Sequence, residues 1–310
     1  MISGGFGPHA FFMRVIGHRE ILERILRACG KGRPLPSMLF HGPVGVGKAT
    51  TALYLAGMCN PPSQRKAIYR LTHPDVMVIS YRDPVPERPR PEDFDRTRTI
   101  SIDAVRWVRQ EVGKPPVEAE RRFVIFMDAD MMTREAQNAF LKVLEEHDDR
   151  TTFILIASNY YRLLPTIRSR VIPVAFGGLS KEEFLSFDHQ WKHDPERLYH
   201  LSRGSIGLAL MLDRKPLDLW ARYLGEMLES PSVSLVSAIY STIENSKDLL
   251  LFLVPFRVAV MKKYAKTGKS VYRYLFEDSK EIEDMIFRHA SVEVLTHALF
   301  KPLFEFEPAL

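Results

Sequence analysis

The stretch Met38-Leu39-Phe40-His41-Gly42-Pro43-Val44-Gly45-Val46-Gly47-Lys48-Ala49-Thr50 decides the architecture of this chain. An apolar run enters a glycine-rich turn, and Thr51-Ala52-Leu53-Tyr54-Leu55-Ala56 continues from it at helical spacing, so the segment stands where a strand hands over to a helix. Gly42, Gly45 and Gly47 let the backbone turn its N–H groups inward, and the helix N-terminus adds roughly half a positive charge, which together suit an anion. Lys48 supplies a point charge for the outer phosphates of a nucleotide. The alternative, a glycine-rich turn without a ligand, fits the strand and helix flanks less well.

The spacing G-x-x-x-x-G-K is normally followed by Ser or Thr, whose hydroxyl holds Mg²⁺, and here that position is Ala49. A methyl group cannot ligate a hard cation. Thr50 and Thr51 come next, but each helical residue turns about 100° from its neighbour, so neither hydroxyl takes the missing direction. The expectation is a loop able to take ATP or ADP through Gly42, Gly45, Gly47, Lys48, Ala49 and Thr50, in which Mg²⁺ lacks its usual ligand.

Downstream, Phe123-Val124-Ile125-Phe126-Met127 is an unbroken apolar run such as a parallel strand buried on both faces displays, and Asp128 stands at its carboxyl end. In an open parallel sheet that edge faces the ligand crevice, so Asp128 is placed to act on a nucleotide's Mg²⁺, directly or through water; the alternative is an aspartate that caps a helix. P-loop ATPases of the AAA+ kind usually follow this aspartate with a glutamate that polarises the attacking water, and here the position is Ala129. Alanine can neither accept a proton nor orient a water, and a missing general base commonly costs about 10²–10⁴-fold. Asp130, one residue further on, should face differently. A second buried run, Phe153-Ile154-Leu155-Ile156-Ala157, ends in Ser158-Asn159, where Asn159 could sense a γ-phosphate or could turn the chain.

Around these landmarks the chain alternates. Val15-Ile16-Gly17-His18 leads into a helix predicted over Arg19–Ala28 by Ile21, Leu22, Ile25 and Leu26, and Gly30, Gly32, Pro34 and Pro36 then open an extended link. Val76-Met77-Val78-Ile79, introduced by His73-Pro74-Asp75, reads as a strand; the proline-rich stretch 83–91 as a surface loop; 102–112 and 133–146 as helices; and Val171-Ile172-Pro173-Val174 as a last strand. This predicts a three-layer α/β domain over residues 1–176. Beyond Gly177-Gly178 strand signals nearly vanish. Short helices at 179–187, 195–201 and 206–212 make a lid-sized unit over 177–215. Long amphipathic segments at 217–228, 234–243 and 247–264, with a final pair between Ser279 and Phe304, make an all-α bundle over 216–310.

At 310 residues, 45% hydrophobic and 26% charged, the chain is long enough for two or three domains and has no low-complexity tract. Its net charge of +5 leans only weakly toward an acidic partner, because 43 basic residues are set against 38 acidic ones. Cys29 and Cys59 are too few and too far apart in sequence for a zinc cluster or a disulfide framework, so a reducing compartment is expected. Residues 1–13 lack the pattern of a secretory signal, and the longest apolar run, Leu249 to Val254, is too short to cross a bilayer. A soluble, cytoplasmic protein without membrane partners is expected. His189, His193 and His200 have neither a cysteine nor an HExxH frame beside them, so no metal site is expected there.

The order of these features resembles the clamp-loader subunits of bacterial DNA polymerase III, delta-prime rather than gamma/tau. The resemblance rests on Val15-Ile16-Gly17-His18, Gly42 to Lys48, His73-Pro74-Asp75, Asp128 to Thr133, Asn138-Ala139-Phe140-Leu141-Lys142-Val143-Leu144-Glu145-Glu146, Leu164 to Arg170, and Gly204 to Leu210. It runs nearly without a break from about residue 14 to residue 212, and the last third matches only as helical. It implies an AAA+ P-loop three-layer domain, a helical lid, and a C-terminal helical collar through which five subunits form a ring. Gamma/tau and delta subunits are the implied partners, with the sliding clamp and primed DNA reached through the complex, a component of the polymerase holoenzyme. It implies that Val15 and Ile16 contribute to the nucleotide site and that Arg170 reaches across an interface, as an arginine finger, toward ATP bound by a neighbour. An always-charged planar guanidinium suits that task.

Departures accompany the likeness. Val171 replaces the cysteine that follows this arginine in the family, and Gly207 stands where gamma-type subunits place an arginine contacting their own nucleotide. Many relatives carry a four-cysteine zinc module after the first helix, whereas 58–69 here holds only Cys59, so no zinc is expected. The sequence thus reads as a clamp-loader subunit that is itself hydrolysis-deficient. The alternatives are an active AAA+ ATPase, gamma-like or a DNA-remodelling motor such as a branch-migration helicase, and a stand-alone nucleotide sensor.

Overall fold

Five parallel strands form one sheet in the order β2-β3-β4-β1-β5: Met38–His41 (β1), Val76–Ile79 (β2), Arg122–Phe126 (β3), Thr151–Ala157 (β4) and Ile172–Ala175 (β5). This computed structural model describes residues 15–29, 34–80, 99–287 and 290–305. The proline-rich stretch 83–91 and the segment 1–13 lie outside the described residues. Two units emerge, residues 1–187 and 188–310.

In the first unit the alternation of side chains along each strand builds both halves of the core. Leu39, Val124, Phe126, Phe153, Leu155 and Ala157 share one face with Val105 and Val108 of Ile102–Val112 and with Ala136, Phe140 and Val143 of Arg134–Glu146. Met38, Phe40, Phe123, Ile125, Ile154 and Ile156 share the other with Leu22 of Arg19–Cys29 and with Ala52, Leu53, Leu55 and Ala56 of Lys48–Met58. In chain order these helices are α1 (Arg19–Cys29), α2 (Lys48–Met58), α3 (Arg65–Tyr69), α4 (Ile102–Val112), α5 (Arg134–Glu146), α6 (Pro165–Arg168) and α7 (Lys181–Leu185). The result is the expected three layers, with β3 and β4 buried along their whole length. Ser101 caps α4 and Thr133 caps α5, each accepting from the backbone N–H three residues on. At the edge, β5 is largely exposed and tolerates Pro173, which could not donate in a central strand.

His73-Pro74-Asp75 serves the fold. Asp75 is buried, and its carboxylate accepts from the backbone N–H groups of Val117, Glu118 and Ala119 at 2.8–3.0 Å while Arg122, also buried, lies 3.3 Å away. Burial alone would raise its pKa; the amides and the guanidinium prevail and hold it below 3.8. The clasp anchors the loop that enters β3. Cys59, just after α2, is disulfide-bonded. That corrects the expectation of no disulfide, because separation along the chain does not bound separation in space.

Among the described residues the regular elements of the second unit are helices: α8 (Pro195–Ser202), α9 (Ile206–Leu212), α10 (Leu217–Glu229), α11 (Val233–Tyr240), α12 (Ser246–Thr267), α13 (Ser270–Phe287) and α14 (Val292–Glu305). Its core centres on Trp220, Phe252, Phe256 and Phe300, all fully buried, with the indole N–H of Trp220 donating to Thr242 at 2.9 Å. Arg257 of α12 ties α13 by donating to Ser279 and Glu283. The final helical pair starts earlier than expected, at Ser270 rather than Ser279. Gly268, at φ 68°, ends α12, and the buried Tyr272 and Leu275 begin the next stripe at once. Among the described residues no helix is long and apolar enough to cross a membrane.

Candidate functional site

The glycine-rich loop follows β1 at the carboxyl edge of the sheet. Gly42, Gly45 and Gly47 take φ of 136°, 77° and 94°, values that side-chain-bearing residues rarely adopt. At Gly42 an added Cβ would lie 2.1 Å from the Phe176 carbonyl oxygen, so packing as well as conformation requires glycine there. At Gly47, which caps α2, an added Cβ would meet nothing within 4 Å, so there it is backbone conformation rather than packing that requires glycine. Val15 packs on the cluster beneath α2, Ile16 is half-buried beside it in sequence, and His18, at φ 54°, contacts the loop through its Nε2, 2.9 Å from the Val46 carbonyl.

Lys48 is buried, and its amine donates to the carbonyls of Gly42 at 2.6 Å and Pro43 at 2.5 Å. Burial pushes it from 10.5 down to about 8, against the opposing pull of the Asp130 and Asp128 carboxylates. Burial first, then the Lys48 charge, also holds His41 below its usual 6.5. Geometry and charge therefore fit nucleotide phosphates. The fit for Mg²⁺ is poor: Ala49 packs against the apolar cluster, Thr50 is half-buried, and Thr51 is fully buried with its hydroxyl unpaired.

Asp128 follows β3 with φ 53°, a left-handed position that aspartate tolerates better than most residues. Its side chain does not cap the turn Ala129–Met131 that follows, so the capping alternative fails. Ala129 is completely buried within the α4–α5 side of the core. A glutamate here would bring its carboxylate into apolar packing. Asp130 does face differently: it accepts from the backbone N–H of Ser158 at 3.2 Å and of Asn159 at 2.9 Å, joining the ends of β3 and β4. The side-chain oxygen of Asn159 accepts from Tyr161 N–H at 3.0 Å and so is engaged in turning the chain.

Arg170 lies elsewhere. Met38 of β1 pairs with Ile172 of β5 and His41 with Ala175, so the phosphate loop leaves the carboxyl edge of the sheet while Arg170 precedes its amino edge. A four-residue strand, roughly 13 Å, separates the two levels. The Arg170 guanidinium is paired with Glu145 near the end of α5 and with the Thr166 carbonyl. Gly207 sits in the first turn of α9, in the second unit. Sequence reasoning missed Asp130 as the brace between strand ends, and Glu145 as the partner of Arg170. Both lie inside runs that carried the resemblance, but only a fold brings 130 to 158 and 145 to 170.

A parallel sheet with a phosphate loop at its carboxyl edge, followed by a helical unit, defines an AAA+ P-loop protein. A sequence model described as DNA polymerase III, delta subunit, matches residues 17–180, and the chain belongs to that family, within the clamp-loader group of AAA+ proteins. Replication factor C subunit 5 of Arabidopsis thaliana is 32% identical over 210 residues, covering 66% of this chain and 51% of that protein. A replication factor C small subunit 2 of Pyrobaculum islandicum is 33% identical over 175 residues, covering 56% and 48%. The chain thus spans about half the length of the curated relatives it matches. A solved DNA polymerase III gamma subunit-related protein of Thermotoga maritima shares the fold, with a TM-score of 0.53 at 22% identity over 90% of this chain and 97% of that one.

Proposed function

We propose that this protein is a delta-prime-type subunit of a clamp loader, which helps place a sliding clamp on primed DNA as part of a ring with gamma/tau and delta subunits. In this reading it binds ATP or ADP weakly dependent on Mg²⁺, does not hydrolyse it, and lends Arg170 to the ATP site of a neighbour. The position of Arg170 carries the proposal: at the amino edge of the sheet it is remote from its own phosphate loop, so a phosphate that it serves belongs to another chain. The loss of a Mg²⁺ ligand at Ala49 and the burial of Ala129 support the absence of hydrolysis in cis.

Each group then has one task. The loop N–H groups and Lys48 would hold phosphates, and Val15 and Ile16 the base side of the nucleotide. A bound nucleotide supplies no chemistry of its own here; it would order the loop and α2. Arg170 would place positive charge where phosphoryl oxygens develop negative charge, a contribution worth about 10³–10⁵-fold in systems that use it. The test is ATP turnover by the isolated chain and by the complex reconstituted with gamma/tau and delta subunits. Isolated chain without turnover, and Arg170→Ala cutting turnover of the complex at least about 100-fold with folding intact, are the expected results. Brisk turnover by the isolated chain, or an unaffected complex carrying Arg170→Ala, would overturn the reading.

A further inference from the structure

The surroundings of Arg170 extend this reading to a second residue. A guanidinium carries N–H donors along two usable edges, a side edge of Nε and Nη2 and an end edge of Nη1 and Nη2. Glu145 takes the side edge: Nε donates to its Oε1 at 2.9 Å, and Nη2 lies 2.8 Å from the same oxygen. Nη1 donates backward to the Thr166 carbonyl at 3.1 Å. What is left is one N–H on each of Nη1 and Nη2, with no partner among the described residues. Paired N–H groups on Nη1 and Nη2 form the end edge that bidentate recognition of a phosphate uses.

Glu145 is well placed to hold the arginine still. It sits in the last turn of α5, whose Phe140, Val143 and Leu144 are buried, while its own side chain is 53% exposed and that of Arg170 is 42% exposed. An ion pair this open contributes little to folding stability and is screened by salt, so its consequence is orientation rather than stability. An arginine with several free torsions must otherwise lose them at the moment it meets its anion.

We infer that Glu145 is a positioning residue, which clamps the side edge of Arg170 so that its end edge is presented, preorganised, to an anionic phosphate group on a neighbouring subunit. The inference rests on the finger role proposed above for Arg170. The experiment measures kcat and KM for ATP in the complex reconstituted with gamma/tau and delta subunits, clamp and primed DNA. It compares the wild-type chain with Glu145→Ala, Glu145→Gln and Arg170→Ala, alongside thermal melts of each isolated chain. Glu145→Ala should lower kcat about tenfold with KM within about twofold, since orientation matters most in the transition state. Glu145→Gln should recover most of the rate, because the amide oxygen still accepts from the side edge, and all melts should coincide. Wild-type kcat in Glu145→Ala beside a slow Arg170→Ala overturns the inference alone, as does a Glu145→Gln no faster than Glu145→Ala or a rise in KM with kcat unchanged. Wild-type kcat in Arg170→Ala overturns the finger role on which the inference stands.

Discussion

Replacing Lys48 by methionine should make this protein more stable and worse at binding nucleotide. The lysine is buried, and its amine sits at about 8 in the folded chain against an ordinary 10.5. At about 1.4 kcal/mol per pH unit, that gap corresponds to about 3 kcal/mol of folding stability withheld at pH 7. The folded value lies below the unfolded one, so between about 8 and 10.5 the unfolded chain binds more protons and stability rises with pH; below 8 the penalty is constant. Lys48→Met keeps the length and apolar stem and removes the charge, and should raise the unfolding free energy at pH 7 by about 1–3 kcal/mol. That advantage should fade toward pH 10. Phosphates need the charged amine, so wild-type affinity for ADP should hold up to pH 8 and then fall, approaching tenfold per pH unit, while the variant binds poorly at every pH. Urea unfolding followed by circular dichroism, and titration with a fluorescent ADP analogue, at pH 7 and 9.5 measure both quantities. A variant less stable than wild type at pH 7, or wild-type affinity that is flat across this range, would show that Lys48 carries no such burial penalty.

Other substitutions test the remaining parts of the site and its support. Ala129→Glu should cost about 3 kcal/mol or more by burying a carboxylate and should not confer ATP turnover; melting and phosphate-release assays check it, and a well-folded, active variant would show that position 129 can face the loop. Asp75→Ala leaves buried Arg122 and three backbone N–H groups without their carboxylate and should cost about 3–5 kcal/mol in chemical denaturation. Because Asp75 is held below its ordinary value, its contribution is full above about pH 4 and is lost as pH falls through the folded value, so the wild type should lose stability in that acid window and the variant much less. Gly42→Ala should lose nucleotide binding in the same titration and about 1–3 kcal/mol of stability, from the strained φ and the 2.1 Å approach to Phe176.

The order of elements and the place of the phosphate loop were open to reading because both are local. Glycines at 42, 45 and 47 declare backbone angles, unbroken runs at 123–127 and 153–157 declare strands covered on both faces, and periodicity over 102–112 and 133–146 marks helices that the structure reproduces nearly residue for residue. Losses also show in the sequence: Ala49 and Ala129 are absences at known spacings. Contacts between distant segments stayed hidden. The sequence marks His73-Pro74-Asp75 as a landmark, but only the fold turns Asp75 into a clasp on 117–119. It marks Ala129 as a missing base, but only the fold buries that position in the core. Both cysteines are plain in the sequence, yet the bonded state of Cys59 is a matter of proximity. Arg170 is recognisable from its motif; its remoteness from its own loop comes from parallel pairing of β1 with β5, and its partner Glu145 from the length and direction of α5. Backbone angles and periodicities are properties of neighbouring residues, whereas side-chain pairing, burial and reach are set by which strands lie side by side, and no single segment carries that information.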